Sequence, residues 1–335
     1  MSIPSASLTT VAIQKESSLA GSGTSNIATL RITSESLVSA VSTIASDEID
    51  STRNVADLNK VSSQAEGEIE FEMSPDAPMD VLLQAVFQDT AGNVAVGLAD
   101  ADTVDNGTTQ TSFKIEKKTT DGTTNFFQKY EGMVPSTLEL TAESGSFVTG
   151  TIGFLGSKVN TMSGSASLTP INNDASETTP FTTVDTNTTV SFNTNAASLT
   201  PGDYTELTGV KATAFSISID NGLRAQTQIG STDLAGIGSG RFNITGSLTI
   251  YADGSDAQTI FNNYINTTAF GMMLQIGDTN DKYQFVLPEV KITSAQTLAG
   301  GNDEDVLMEI EWQAVKSTVG SDVVSCRLIK VGDTV

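Results

Sequence analysis

The 335 residues carry 40 Asp and Glu against 17 Lys and Arg, a formal charge of −23, with 38% apolar and 17% charged side chains. So acidic a chain is repelled by phosphates and anionic lipid, which excludes sequence-specific nucleic-acid binding, although acidity also simply keeps a soluble protein dispersed. With no His and a single Cys, Cys326, there is no Ser-His-Asp or Cys-His nucleophile, no His-containing zinc site and no disulfide within the chain.

Abundant Ser, Thr, Asn and Gly favour strands and turns over long helices, and the length suits one large or two ordinary domains. "MSIPSASLTT" has no positive or apolar signal region, and the longest apolar run, "VLLQAVF" (81–87), is too short to span a bilayer. A soluble intracellular product is expected, with the sequons at Asn106, Asn187, Asn243 and Asn266 as chance matches in a Thr/Asn-rich chain.

In chain order, residues 1–27 read as an N-terminal arm. "GEIEFEM" (67–73) alternates Ile69, Phe71 and Met73 with Glu68, Glu70 and Glu72, which predicts a strand with one dry and one acidic face. A helix follows, with Ser74 as cap, Pro75 in the first turn, and Met79, Leu82, Leu83 and Val86 as its apolar stripe. Farther on, "RFNITGSLTIY" (241–251) alternates in the same way. It runs into a second helix capped by Asp253, with Ala257, Ile260, Phe261, Tyr264 and Ile265 as its stripe.

These pieces superimpose. Ile69 and Leu248 are 179 positions apart, as are Phe71 and Ile250, and the same offset lays "NVADL" (54–58) on "DLAGI" (233–237). "KYEGMVP" (129–135) and "KYQFVLP" (282–288) are 153 apart, and a polar insertion at 91–112 in the first copy accounts for the shorter spacing. The chain is therefore read as two copies, 28–160 and 208–317. Between them, 161–207 is a Thr/Asn/Ser-rich linker or surface excursion, and 318–335 is a C-terminal arm. The linker is expected on the exterior, because its polar composition cannot offset an ordering entropy of roughly 1–2 kcal/mol per residue.

Motifs for chemistry fail on inspection. "GIGSGR" (236–241) has Arg241 where a dinucleotide fingerprint needs Gly, and it precedes a strand. "GSGTSN" (21–26) lacks the P-loop Lys, "DADTVDNG" (100–107) has Val104 where a calcium loop needs Asp or Asn, and "GNDEDV" (301–306) reads as a solvated hairpin tip. No enzyme activity, cofactor or metal is expected.

The order of elements resembles the tail tube proteins of long-tailed, siphophage-type bacteriophages. The residues that carry the resemblance are "TLRITSESLVSAVSTIASDEIDSTRNVADL" (29–58), "GEIEFEMSPDAPMDVLLQAVF" (67–87) and "KYEGMVPSTLELTAESGSFVTGTIGFLG" (129–156). The most telling part is Ser46, Glu48, Ile49, Arg53 and Asn54 ahead of a Gly-initiated strand. The resemblance implies a mainly β fold: tandem β-sandwich or barrel tube domains, each with one flanking helix. It implies a virion protein assembled in the host cytoplasm, whose rings stack into a conduit for the genome and meet terminator, tape-measure and tip proteins. A duplicated chain is expected to close a ring with three copies, six whole chains being the alternative. Glu68, Glu70 and Glu72 with the matching Ser247, Thr249 and Tyr251 are the candidate lumen face, an outer solvated face being the other reading. Ring-stacking contacts are expected from the long connections at Asp50, Arg53, Asn54 and Asp57 and at Thr232 and Asp233. The competing class is a two-domain β-sandwich adhesin or decoration protein, which would stay dispersed and bind a ligand.

Overall fold

The computed structural model describes residues 5–24, 26–49, 51–52, 54–90, 97–169, 179–185, 187–193, 197–207, 210–252, 254–299, 301 and 305–332. The first half contributes β1 (Thr10–Lys15), β2 (Ala28–Leu30), β3 (Ser34–Glu35), β4 (Val38–Ala45), β5 (Leu58–Glu72), α1 (Ala77–Val86), β6 (Thr103–Asp105), β7 (Phe113–Thr120), β8 (Asn125–Glu143), β9 (Thr149–Gly156) and β10 (Lys158–Val159). Then come β11 (Thr189–Asn193), β12 (Val210–Asp220), β13 (Arg224–Gln226), β14 (Gly236–Gly238), β15 (Asn243–Ala252) and α2 (Gly254–Asn266). The chain ends with β16 (Phe270–Gly277), β17 (Lys282–Ala299), β18 (Val306–Ala314), β19 (Ser317–Val319), β20 (Asp322–Val324) and β21 (Arg327–Val331). The fold is mainly β, and among the described residues no helix is long and apolar enough to cross a membrane.

Two long strands organise it. The first half of β8 pairs with β7 and β10 and its second half with β9 and β12. In the same way β17 pairs first with β16 and β21, then with β18. The ladder changes register at Pro135 in β8 and across Pro288 in β17. Proline has no N–H to donate, so it fits where a ladder breaks, and a bulge there bends the strand from one sheet into the next. Five residues before each proline, Tyr130 and Tyr283 are fully buried. The repeated Lys-Tyr phrases thus occupy the bending strand of each half, each with its tyrosine in the core.

Helix α1 forms because Asp76 accepts from the Met79 N–H at 3.0 Å, while the Ser74 hydroxyl donates to its other oxygen at 2.9 Å. The cap is thus Asp76, not Ser74, and the proline inside the first turn is Pro78, not Pro75. Ser74 orients the cap instead of making it. The whole predicted stripe, Met79, Leu82, Leu83 and Val86, is buried. In α2 only Ala257 and Ile260 of the predicted stripe are buried, Phe261 and Ile265 remaining exposed, and Asp253 lies outside the described residues.

Three expectations from composition are corrected. The strand expected at 67–73 begins at Leu58, so β5 pairs with β4 as a hairpin. Segment 161–207 is no bare linker: β11 pairs along β16, and Leu168, Phe181 and Phe192 are buried. Its backbone is further held by Glu116, whose carboxylate accepts from the Ser167 and Leu168 N–H groups. Nor are the ends free arms. β1 runs between β2 and β7 with Val11 and Ile13 fully buried, and β21 runs between β17 and β6. A few large apolar anchors in a polar segment suffice, since burying each contributes about 1.5–3 kcal/mol.

The halves share one contiguous apolar core. At its centre the Tyr283 hydroxyl of β17 donates to Asp80 of α1 at 2.5 Å. Lys330 of β21 lies 3.5 Å from the same carboxylate, 3.2 Å from the Tyr283 oxygen and 4.6 Å from the centre of its ring. The other Asp80 oxygen accepts from the Leu98 N–H at 3.0 Å. Burial pushes the Asp80 carboxyl above its ordinary range, against the opposing pull of Lys330 and the Tyr283 bond. An ion pair in this position is costly to break from either side. Lys330→Ala should lower the unfolding free energy by about 3–5 kcal/mol by stranding a buried charge. Tyr283→Phe should cost about 1–3 kcal/mol through the lost bond. Urea titrations followed by the fluorescence of the sole Trp, Trp312, measure both.

Candidate functional site

The predicted alternation extends far beyond the strands that revealed it. Strands β5, β9, β8, β12, β15, β18 and the second half of β17 pair side by side in that order, all antiparallel. Successive side chains point to opposite faces, so one register governs the whole surface. One rank on the polar face reads Glu70, Thr151, Glu139, Ser218, Thr245 and Gln313. The next reads Glu72, Thr149, Thr141, Ser216, Ser247, Glu311 and Ser294. The opposite face reads Phe71, Gly150, Leu140, Ile217, Gly246, Trp312 and Ile292, all buried except the half-buried Gly246.

All six candidate lumen residues stand on the polar face: Glu68, Glu70, Ser247 and Tyr251 exposed, Glu72 and Thr249 half-buried. The sequence reading missed Glu139, Glu143, Asp220, Glu309 and Glu311, which share it. In the second half the acid stands one strand over: Glu311 faces Ser247 and Glu309 faces Thr249. The alternation in "VLMEIEWQA" (306–314) was the available signal. Hydroxyl pairs cross the strands, Thr141 with Thr149 at 2.9 Å and Ser216 with Ser247 at 2.8 Å. Lys211, opposite Tyr251, and Lys291, opposite Gln313, stand at opposite ends of the face.

The middle of this sheet is the seam between halves, β8 against β12 over Thr137–Glu143 and Ala214–Asp220. Buried Asn221 fastens it: its amide donates to the Val86 carbonyl at 2.8 Å, and its own N–H donates to Ser136 at 3.0 Å. Phe242 packs on Phe87 at the end of α1, ring centres 5.7 Å apart. Next to the seam, hairpin β13–β14 lies on the first half. The Ser63 N–H donates to the Thr232 carbonyl at 2.8 Å, and Leu234 and Ile237 pack with Val134. Thr232 and Asp233 are therefore half-buried against their own chain, and Ile229 is an exposed large apolar residue of that loop. In the first half Asn54 and Asp57 stand exposed at the tip between β4 and β5, while Asp50 and Arg53 fall outside the described residues.

The halves repeat a detail that only backbone geometry reveals. The Ser36 hydroxyl accepts from the Glu68 N–H at 3.0 Å, and the Ser216 hydroxyl accepts from the Ser247 N–H at 3.1 Å. The preceding residues are Gly67, at φ +142°, and Gly246; a Cβ on either would strike the carbonyl oxygen of that same serine. Glycine is required at both places by close approach.

Three comparisons bear on the chain. A family model described as phage tail tube protein matches residues 6–314. No curated protein matches it. Among solved structures it is similar to one described as the hybrid structure of the SPP1 tail tube by solid-state NMR and cryo EM. There the identity is 15%, with 44% of this chain and 77% of that chain covered at a TM-score of 0.26.

Gly67→Ala and Gly246→Ala should each destabilise the fold, by about 1–3 kcal/mol through overpacking. Glu70→Gln and Glu139→Gln, on the open polar face, should leave the unfolding midpoint unchanged. Thermal unfolding of the four single variants checks both statements.

Proposed function

The chain belongs to the phage tail tube protein family and is a structural component of the virion tail, and we propose that three copies close each ring around a lumen lined by the polar sheet face. The observation that carries this reading is the polar face itself, which runs through both halves: the two ranks from Glu70 to Gln313 and from Glu72 to Ser294 hold only polar side chains, none of them buried. We read 28–160 and 208–317 as tandem tube domains. In support, each half repeats the order strand, helix, hairpin with a bending strand, and closing strand, and each repeats the serine–glycine contact.

Ring size follows from strand spacing. Counting β4 with the seven strands of the face, each chain offers eight neighbours. Three chains would set about 24 strands at ~4.8 Å, a perimeter of roughly 115 Å and a backbone-to-backbone bore of roughly 37 Å before tilt. That bore admits a DNA duplex inside one layer of side chains. Six chains would double it and leave the duplex far from the wall.

A wall of carboxylates and hydroxyls repels phosphate without gripping it, so the genome passes and does not adhere. The protein works as a wall and not as an enzyme; its partners are further copies of itself and the tail proteins at the two ends of the tube.

Electron microscopy of the purified chain tests the reading. Cylinders with true threefold and approximate sixfold rings are expected; dispersed particles, or six whole chains per ring, would overturn it. A second measurement addresses the lumen. Cylinders of the triple variant Glu70→Lys, Glu139→Lys, Glu309→Lys should retain duplex DNA protected from nuclease at low salt and release it steeply as salt rises. Retention equal to that of unmodified cylinders would place this face elsewhere.

A further inference from the structure

The seam between the halves has an unmade counterpart. In the described residues the second half of β17 pairs only through β18, so Ser294–Thr297 presents an open edge, as β8 would without β12. At the other end of the sheet β4 pairs only with β5, so its outer edge is open as well. Open edges of this kind in one chain invite pairing with another.

Apolar exposure tells the same story. "NVADL" (54–58) and "DLAGI" (233–237) are matched segments, yet their apolar residues have opposite fates. Leu234 and Ile237 are each 7% exposed, packed on the first half of their own chain. Their matches Val55 and Leu58 are 70% and 62% exposed. In the β4–β5 hairpin Val38, Val41 and Ile44 also lie open. Such a patch marks an interaction surface.

We infer that the β4–β5 hairpin of one copy lies across the second half of the next copy in the same ring, making there the seam that β12–β14 make within the chain. The inference rests on the tube reading and names the contact that closes the ring. The register follows from the internal seam. Phe215 pairs with Leu248 and Glu35 with Ile69, so Ser218 matches Val38. Leu138 pairs with Ile152 and Ala295 with Ile310, so Glu139 matches Gln296 and Ser157 matches Val315. Ser218 faces Glu139 within the chain. Val38 therefore faces Gln296 of the next copy. Ser157 meets Leu234 through a hydroxyl-to-carbonyl bond of 3.2 Å, so Val55 reaches Val315, the residue after β18.

This assigns the exposed hairpin a lateral contact in place of a stacking one, and the two differ in connectivity. A lateral contact joins chains into a closed loop, whereas a contact between rings joins them into an open filament. The test is Val38→Cys with Gln296→Cys, oxidised in assembled cylinders and run on a denaturing gel; the native Cys326 is buried and does not interfere. Loss of the monomer band into a ladder that closes at the ring number, three, is expected. A ladder closing at six keeps the seam and changes the ring size. An open ladder, or monomer persisting in cylinders that microscopy shows intact, overturns the inference while leaving the tube reading in place. Absence of cylinders from the unmodified chain would instead sink the reading beneath it. If the cysteine variant does not fold, amide exchange on the unmodified chain decides the matter. Residues 294–297 and 38–40 should exchange more slowly in cylinders than in dispersed chains, and equal exchange there overturns the seam.

Discussion

Everything in this molecule hangs on the period-two alternation of an antiparallel sheet that does not stop at the boundary between its halves. Because β8 accepts β12 as its neighbour, the register set by Ile69 and Phe71 in one half is transmitted to Leu248 and Ile250 in the other. A slip of one residue at the seam would turn one half's apolar face to solvent. Asn221 guards against such a slip, since its side chain and backbone are both committed to first-half carbonyls. The polar face is thus a consequence of how the core packs.

The core in turn depends on strands long enough to serve two sheets. A strand that crosses from one sheet to another must bend, and bending breaks the ladder. Pro135 and Pro288 stand where the break occurs, and the preceding tyrosines bring a large ring and a polar tip into the space beside the bend. Their tips are satisfied differently: Tyr130 bonds the Leu37 carbonyl at 2.8 Å, whereas Tyr283 bonds Asp80. The second solution recruits a lysine from β21 and ties the last strand to the first helix. A buried charge pair adds little net stability over an apolar substitute, but its geometry excludes alternative packings of three distant segments, which is the role we assign it here.

Much of this was legible in the sequence, and the exceptions have physical causes. The strands with one dry face, the α1 stripe and the repeated Lys-Tyr phrase follow from simple periodicity. Residues 58–66 do not read as strand because 58–61 are exposed on both faces and the buried positions beyond them are the small Ser63 and Ala65, so no large apolar alternation marks them. β11 escaped because two or three aromatic anchors in a Thr/Asn-rich segment have no period. Lys330 reads as a surface residue until its strand is placed beside Asp80. The polar face was found through three glutamates and their matches, but its extent depends on which strands are neighbours, and that is a property of topology. The contact of Thr232 with Ser63 joins residues 169 positions apart and leaves no mark in either segment's pattern.

A surface this acidic would be expected to oppose its own formation. Its arrangement limits the cost. Along a rank Glu70 is followed by Thr151 before Glu139, and Glu143 is followed by Ala214 and Thr249 before Glu309. Asp220 is separated from Glu68 by Thr137 and Gly153. Carboxylates in neighbouring positions of a rank are thus at least two strands apart, about 9–10 Å, close to one Debye length at physiological ionic strength. Directly opposed like charges, which destabilise a strand pair, are avoided throughout these ranks. Hydroxyls fill most of the intervening positions, with Gly153 and Ala214 in the others, and the Thr141–Thr149 and Ser216–Ser247 hydroxyls bond across the strands, so the face is hydrated and negative with its acids spaced along each rank. The same spacing that spares the fold its self-repulsion keeps the potential diffuse, and a diffuse negative wall repels a polyanion evenly along its path instead of trapping it at one point.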